Sequence, residues 1–189
     1  MASERIKDII RRTEASMKES IEAARREFAT IRTGRANPTL LDRVMVEYYG
    51  DHVPVRHVAN VTAPEPRLLV IRPFDKTTLP AIRKALQASD LGLNPLVEAE
   101  LIRLPLPALT EERRRELAKE VSKKTEEKKI EVRNHRRDAI EEMRKLEKSH
   151  QISEDELRRF QEQVQKLTDN HIQELDKVQK AKEAEVLEG

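Results

Sequence analysis

Cysteine is absent from this chain of 189 residues. That excludes disulfides, Cys-type zinc sites and thiol catalysis. Tryptophan is also absent, and three Phe and two Tyr are the only aromatics. One large core normally uses more aromatics than this; thin cores of Leu, Ile, Val and Ala between amphipathic helices do not need them. No apolar run approaches the roughly 20 residues that span a membrane. The opening Met1-Ala2-Ser3-Glu4-Arg5-Ile6 is charged within a few residues, so no secretory leader is expected and a cytoplasmic location is. Excess charge of one sign is missing too: the formal net charge is +2. Affinity for nucleic acid must then come from local clustering.

The chemistry of catalysis is equally thin. The histidines, His52, His57, His135, His150 and His171, show no HExxH or other close ligand spacing, so no metal is expected. There is no phosphate-cradling Gly-rich loop, which assigns any nucleotide hydrolysis to a partner. No carboxylate pair sits in a recognisable apolar pocket, so general acid–base work has no support. A non-enzyme without a cofactor is expected.

What the chain has is helical periodicity. Ile6, Ile10, Thr13, Met17, Ile21, Ala24, Phe28 and Ile31 step by three and four, predicting a helix over 4–29 with Ser3 as N-cap, roughly 39 Å long. The pattern breaks at Thr33-Gly34-Arg35-Ala36-Asn37-Pro38. Residues 40–105 then read as a small α+β module. Val44, Val46 and Tyr48 alternate with their neighbours, Gly50-Asp51 turns, and 52–55, 58–62 and 68–72 are short β-branched runs between prolines. Tyr48 and Tyr49 read as one buried and one half-exposed strand residue. A short helix over 77–89 is capped by Thr78, and 96–104 reads as a further strand. Thr110 caps a second long helix to about Lys148, with Glu111 and Glu112 in its first turn. Its seam contains Thr125 and Lys128, polar positions the pattern does not explain. Ser153-Glu154-Asp155-Glu156 is a capping box opening a third helix to about Val186.

The predicted architecture is α+β: a long antiparallel three-helix bundle, 1–30 with 106–189, carrying a small inserted β/α/β domain at 31–105. Two crossings join them, a natural hinge at Thr30, Ile31, Arg32, Thr33 and Gly34 and at Arg103, Leu104, Pro105, Leu106 and Pro107. Within the second helix, Lys129, Arg133, Arg136, Arg137 and Arg144 share one basic stripe, with Glu131 and Asp138 off it. Fork-shaped guanidiniums at helical spacing suit phosphates. By pattern alone the stripe reads equally as a solvated face. An antiparallel first pair is expected to lay the start of helix one beside it, where Arg5, Arg11 and Arg12 would add to it.

Several stretches in order resemble the ribosome recycling factor family. They include Ile31-Arg32-Thr33-Gly34-Arg35-Ala36-Asn37-Pro38, Val46-Glu47-Tyr48-Tyr49-Gly50, Ser89-Asp90-Leu91-Gly92-Leu93-Asn94-Pro95 and Leu109-Thr110-Glu111-Glu112-Arg113-Arg114. Arg133-Asn134 with Arg136-Arg137-Asp138-Ala139, and Gln165-Lys166-Leu167-Thr168-Asp169, extend the likeness over nearly the whole chain. The resemblance implies an L-shaped, two-domain molecule with the outline of a transfer RNA. It implies a bundle that docks on large-subunit ribosomal RNA and a small domain that swings about the hinge. Elongation factor G with GTP then splits the post-termination ribosome into subunits. On matching positions it makes Arg133, Asn134 and Arg136 the principal RNA contacts, with Arg137 and Lys129 supporting. A self-contained bundle also implies a monomer. The competing reading is a coiled-coil adaptor that grips protein clients, which gives no reason for the inserted module.

Overall fold

The computed structural model describes residues 2–188. In chain order the elements are α1 (Ala2–Ala29), β1 (Met45–Tyr48), β2 (Asp51–Pro54), the one-turn α2 (Val55–Val58), β3 (Ala59–Glu65), β4 (Leu68–Pro73), α3 (Leu79–Ala88), β5 (Leu96–Glu98), β6 (Leu101–Pro105), α4 (Glu111–Lys148) and α5 (Glu154–Glu188). They form two compact units, 2–28 with Leu117–Ala184, and Ala29–Glu116 with 185–188. The fold is two-domain α+β, as the sequence predicts.

The long helices start where their caps say. Thr110 Oγ1 accepts the Arg113 amide at 3.1 Å. Ser153 Oγ accepts the Glu156 amide at 3.1 Å, while the Ser153 amide donates to Glu156 Oε1 at 3.2 Å, a closed capping box. Ser3 is different: α1 already runs at Ala2, so Ser3 lies inside the first turn and is not the cap. In the first unit α1 and α4 run antiparallel, joined at Arg12–Glu142, Ser20–His135 and Glu27–Lys128. α4 and α5 do the same at Arg136–Gln165 and Lys129–Asp176. Ile9, Ala139, Met143, Ile152, Phe160 and Val164 form one apolar cluster; Met17, Ile21, Ala24, Val132 and Leu175 form another.

The polar seam positions now have an account. Thr13, Thr125 and Thr168 are buried, and each hydroxyl donates to the carbonyl four residues back, on Ile9, Val121 and Val164, at 2.7–2.8 Å. A threonine satisfied by its own helix packs like a small β-branched residue. His171 is buried likewise, its Nδ1 2.6 Å from the Leu167 carbonyl. Lys128 packs its stem and sends its ammonium out to Glu131 at 3.1 Å and Glu27 at 3.4 Å.

In the second unit β1 and β2 make a hairpin, and the other strands form an antiparallel sheet ordered β3-β4-β6-β5. Ile82 and Leu86 of α3 are buried in a core shared with Leu69, Ile71, Ile102 and Leu104. Three local expectations change. The stretch 96–104 is two strands, because Ala99 adopts φ 49° and turns the chain. Thr78 stands at the N-cap position of α3 but its side chain makes no capping hydrogen bond there; Asp75 caps the preceding turn, its Oδ1 accepting the Thr77 amide, and Thr78 Oγ1 donates to the Asp75 carbonyl. Tyr49 is no strand residue: it is 83% exposed at the β1–β2 turn, φ 48°, followed by Gly50 at φ 83°.

Two successive left-handed residues make a mirror-type hairpin turn, which Asn-Gly fits best. A tyrosine there is strained by about 1 kcal/mol. Tyr49→Asn is expected to raise the unfolding free energy of the second unit by about that much. Chemical denaturation measures it; an unchanged or lower midpoint would show that the Tyr48–Tyr49 edge contact, ring centroids 4.5 Å apart, outweighs the strain.

Candidate nucleic-acid interface

The basic stripe of α4 divides into two classes. Arg133, Arg137 and Arg144 are exposed. At about 100° per residue they fall within roughly 40° of one another on the outer face. Among the described residues none of the three has a hydrogen-bond or ion-pair partner, and neither does the half-buried Asn134. Arg136 stands about 60° round the helix from Arg133, toward α5. Its Nη1 donates to Gln165 Oε1 at 2.8 Å, and Gln165 Nε2 donates to Asp169 Oδ1 at 2.9 Å.

Lys129 belongs to the interior of the bundle instead. Its side chain is 13% exposed and its ammonium lies 2.6 Å from Asp176 and 3.4 Å from Glu126. The hydrogen bond to Asp176 outweighs burial and, with Glu126, raises the lysine pKa. A raised pKa means the pair stabilises fully below the ordinary lysine value and is lost only as pH climbs through the raised one. Around neutrality its contribution is therefore flat. For Lys128 burial pushes the other way, but the hydrogen bonds and charges of Glu131 and Glu27 prevail and its pKa is also raised. Lys129→Ala is expected to lower stability by about 1 kcal/mol or less, because the half-exposed Asp176 is met by water when it loses its partner. It should leave the salt dependence of binding to duplex RNA untouched; a slope reduced by about one would return Lys129 to the contact surface.

The start of α1 does not lie beside Arg133–Arg137. Arg5 bonds Gln151 beside the α4–α5 turn, and Ser20, in the middle of α1, shares a 3.2 Å hydrogen bond with His135. The expectation that this end of α1 adds to the stripe beside Arg133–Arg137 therefore fails for Arg5, while Arg11 and Arg12 lie at the level of Arg144. An antiparallel partner matches residue numbers that sum to a constant, and Arg5 is matched near 151, not near 135. Arg11 and Arg12 pair with Asp8, and Arg12 also with Glu142, which raises the Arg12 pKa.

The ten crossing residues all lie in the second unit. Arg32 Nη2 donates to the Pro107 carbonyl at 2.7 Å, tying the first crossing to the second. Burial, then the nearby charge of Arg113, lowers the Arg32 pKa. Ile31 and Thr33 are buried and Gly34 takes φ 83°. Arg103, Leu104 and Pro105 are part of β6, and Leu104 pairs with Leu69 of β4. Leu106 is buried and its amide donates to the Arg67 carbonyl at 2.7 Å. The irregular chain of the second crossing is thus 106–110.

Residues 24–187 match the family model for ribosome recycling factor. The chain belongs to that family. It is 54% identical over 183 residues to the ribosome-recycling factor of Heliobacterium modesticaldum, covering 97% of this chain and 99% of the relative. With the Bacillus subtilis ribosome-recycling factor it shares 50% over 182 residues, 96% of this chain and 98% of that one. A solution structure of the ribosome recycling factor superposes with a TM-score of 0.78 at 43% identity, covering 97% of this chain and 98% of that one. Models for the T. thermophilus ribosome recycling factor and E. coli elongation factor G bound to the E. coli post-termination complex include a chain that superposes at 0.68 and 43% identity, over 96% and 98%. Family members serve the recycling of ribosomes at the end of translation. Among the described residues no helix is long and apolar enough to cross a membrane, and no group of three or more His, Asp or Glu could hold a metal.

Sequence reasoning missed the α5 half of the site, Gln165 and Asp169. Gln and Asp four apart on a helix are a recognisable pair, but nothing along the chain says that the pair faces Arg136.

Proposed function

We propose that this protein binds the ribosome after termination through the outer face of α4, and that with elongation factor G and GTP it splits the complex into reusable subunits. Arg133, Arg136 and Arg137 contact phosphates of large-subunit ribosomal RNA, with Asn134 beside them at the sugar–phosphate surface. The observation that carries this reading is the uneven treatment of cations on α4. Lys128 and Lys129 are matched by carboxylates, while Arg133 and Arg137 have no partner among the described residues and Arg136 meets only a neutral amide. Duplex RNA hides its base edges in a deep groove, so arginine forks that read backbone and shape suit it. Few aromatics stand on the chain to stack single-stranded bases.

The protein does no covalent chemistry; GTP is the partner's substrate. It acts as a cytoplasmic monomer whose small domain, 31–105, turns against the bundle, 1–30 with 106–189. The hinge motion is taken up in 30–34 and in 106–110, because the rest of the second crossing is held in the β4–β6 ladder. Light scattering tests the function directly. Post-termination ribosomes mixed with this protein, elongation factor G from the same species and GTP should scatter less only when all three are present. No fall with folded protein would remove the splitting role.

A further inference from the structure

We infer that Gln165, held by Asp169, is a positioning residue that aims Arg136 without neutralising it. The inference rests on the reading of Arg136 as an RNA contact. Asp169 is acceptor-only, so it can take a hydrogen bond from the amide nitrogen of Gln165 and from nothing else on that side chain. That bond, 2.9 Å long, turns Oε1 toward α4, where Arg136 Nη1 meets it at 2.8 Å. A flipped amide would set N–H against N–H at Arg136 and carbonyl oxygen against carboxylate at Asp169. The relay therefore has one favourable orientation.

The consequence for Arg136 is specific. A guanidinium has five N–H donors, and the relay uses one. Four remain, enough for a two-pronged grip on a phosphate. The residue is half-buried and tethered, so less side-chain freedom is lost when RNA binds. The tether is an uncharged amide, so the full positive charge stays available. Lys129 shows the contrast: at a neighbouring position facing the same helix, Asp176 and Glu126 balance the cation. A carboxylate at position 165 would do the same to Arg136, and phosphate would then have to displace it. The neutral side chain is what separates a positioned contact from a structural ion pair.

The test measures binding to purified large ribosomal subunits across a salt series, with thermal unfolding of each variant alongside. Gln165→Glu keeps an acceptor for Arg136 but loses the amide donor to Asp169 and sets two carboxylates four apart, so thermal unfolding serves as the folding control, while affinity should drop about 5–10-fold and the salt slope by about one. Gln165→Leu removes the tether without adding charge. It should weaken binding about threefold or more in the native background and not at all in Arg136→Ala, since coupled residues lose their separate effects. If Arg136→Ala weakens binding but Gln165→Leu binds like the native protein, the positioning role is overturned and the RNA contact stands. Equal losses from Gln165→Leu in both backgrounds would also overturn it, because Gln165 would then act independently of Arg136. If Arg136→Ala itself changes neither affinity nor slope, the parent reading falls and takes this one with it.

Discussion

Replacing Arg133 and Arg136 together by alanine is expected to weaken ribosome binding on the order of 100-fold, the largest functional effect anticipated from any pair on α4. Hydrogen bonds to charged groups contribute about 1.5–3 kcal/mol each. Losing two phosphate grips therefore costs about 3 kcal/mol or more, and each 1.4 kcal/mol is about tenfold. The salt dependence is the sharper readout. Two fewer phosphates neutralised should lower the slope of log affinity against log salt by about 1.5–2. Arg133 is exposed and Arg136 meets only Gln165, so the melting temperature should stay close to the native value. Tight binding and a native slope in the double variant would take α4 out of the interface. Weak binding with a native slope would point instead to damage transmitted through the fold.

The largest effect on stability is expected from Phe160→Ala. Phe160 is among the largest fully buried side chains, packed with Ile9, Ala139, Met143 and Val164 from all three long helices and with Ile152 from the α4–α5 turn. Emptying such a site costs about 3–5 kcal/mol, through lost burial and the cavity left behind. Domains of this size are stable by only about 5–15 kcal/mol, so the bundle should be at the edge of unfolding. Phe160→Leu refills most of the space and should cost about 1.5 kcal/mol. Urea denaturation of the two variants separates packing from any special aromatic role. A loss under 1 kcal/mol for alanine would mean that the cluster collapses around the gap and that the three helices are not rigidly spaced there.

Elements whose causes are local were legible in the sequence. Thr110 and Ser153 announce the starts of α4 and α5 because a cap acts over three residues. The apolar stripes of the long helices were readable because periodicity needs no knowledge of the partner helix. Where the cause lies elsewhere in the chain, reading failed. Lys129 and Arg133 are one turn apart and look alike. Only the placement of Asp176 on α5 makes the first structural and leaves the second facing solvent. Leu96 to Leu104 looked like one strand since the turn uses Ala99 in a left-handed conformation, where no glycine marks it. Tyr49 was misplaced for the same reason, a bulky residue standing where Asn is usual. Arg103 and Leu104 read both as the end of a strand and as the start of the second crossing, and it is the non-local ladder to β4 that keeps them in the sheet.

The order of the three long helices along the chain has a consequence for how the protein is made. α4 and α5 are joined by the short turn 149–153, so they can zip together as soon as both exist. α1 is synthesised first, yet its seats at Lys128, His135 and Glu142 are laid down only after the whole β-containing unit has been translated. At about 5–20 residues per second the nascent α1 waits for several seconds with Met17, Ile21 and Phe28 uncovered. The sheet unit, contiguous apart from its last few residues, can meanwhile complete its own core. A nascent chain stalled before α4 should therefore show a protected sheet and an exchanging, protease-sensitive first helix. The apolar face that closes the bundle last is also the one a chaperone would meet first.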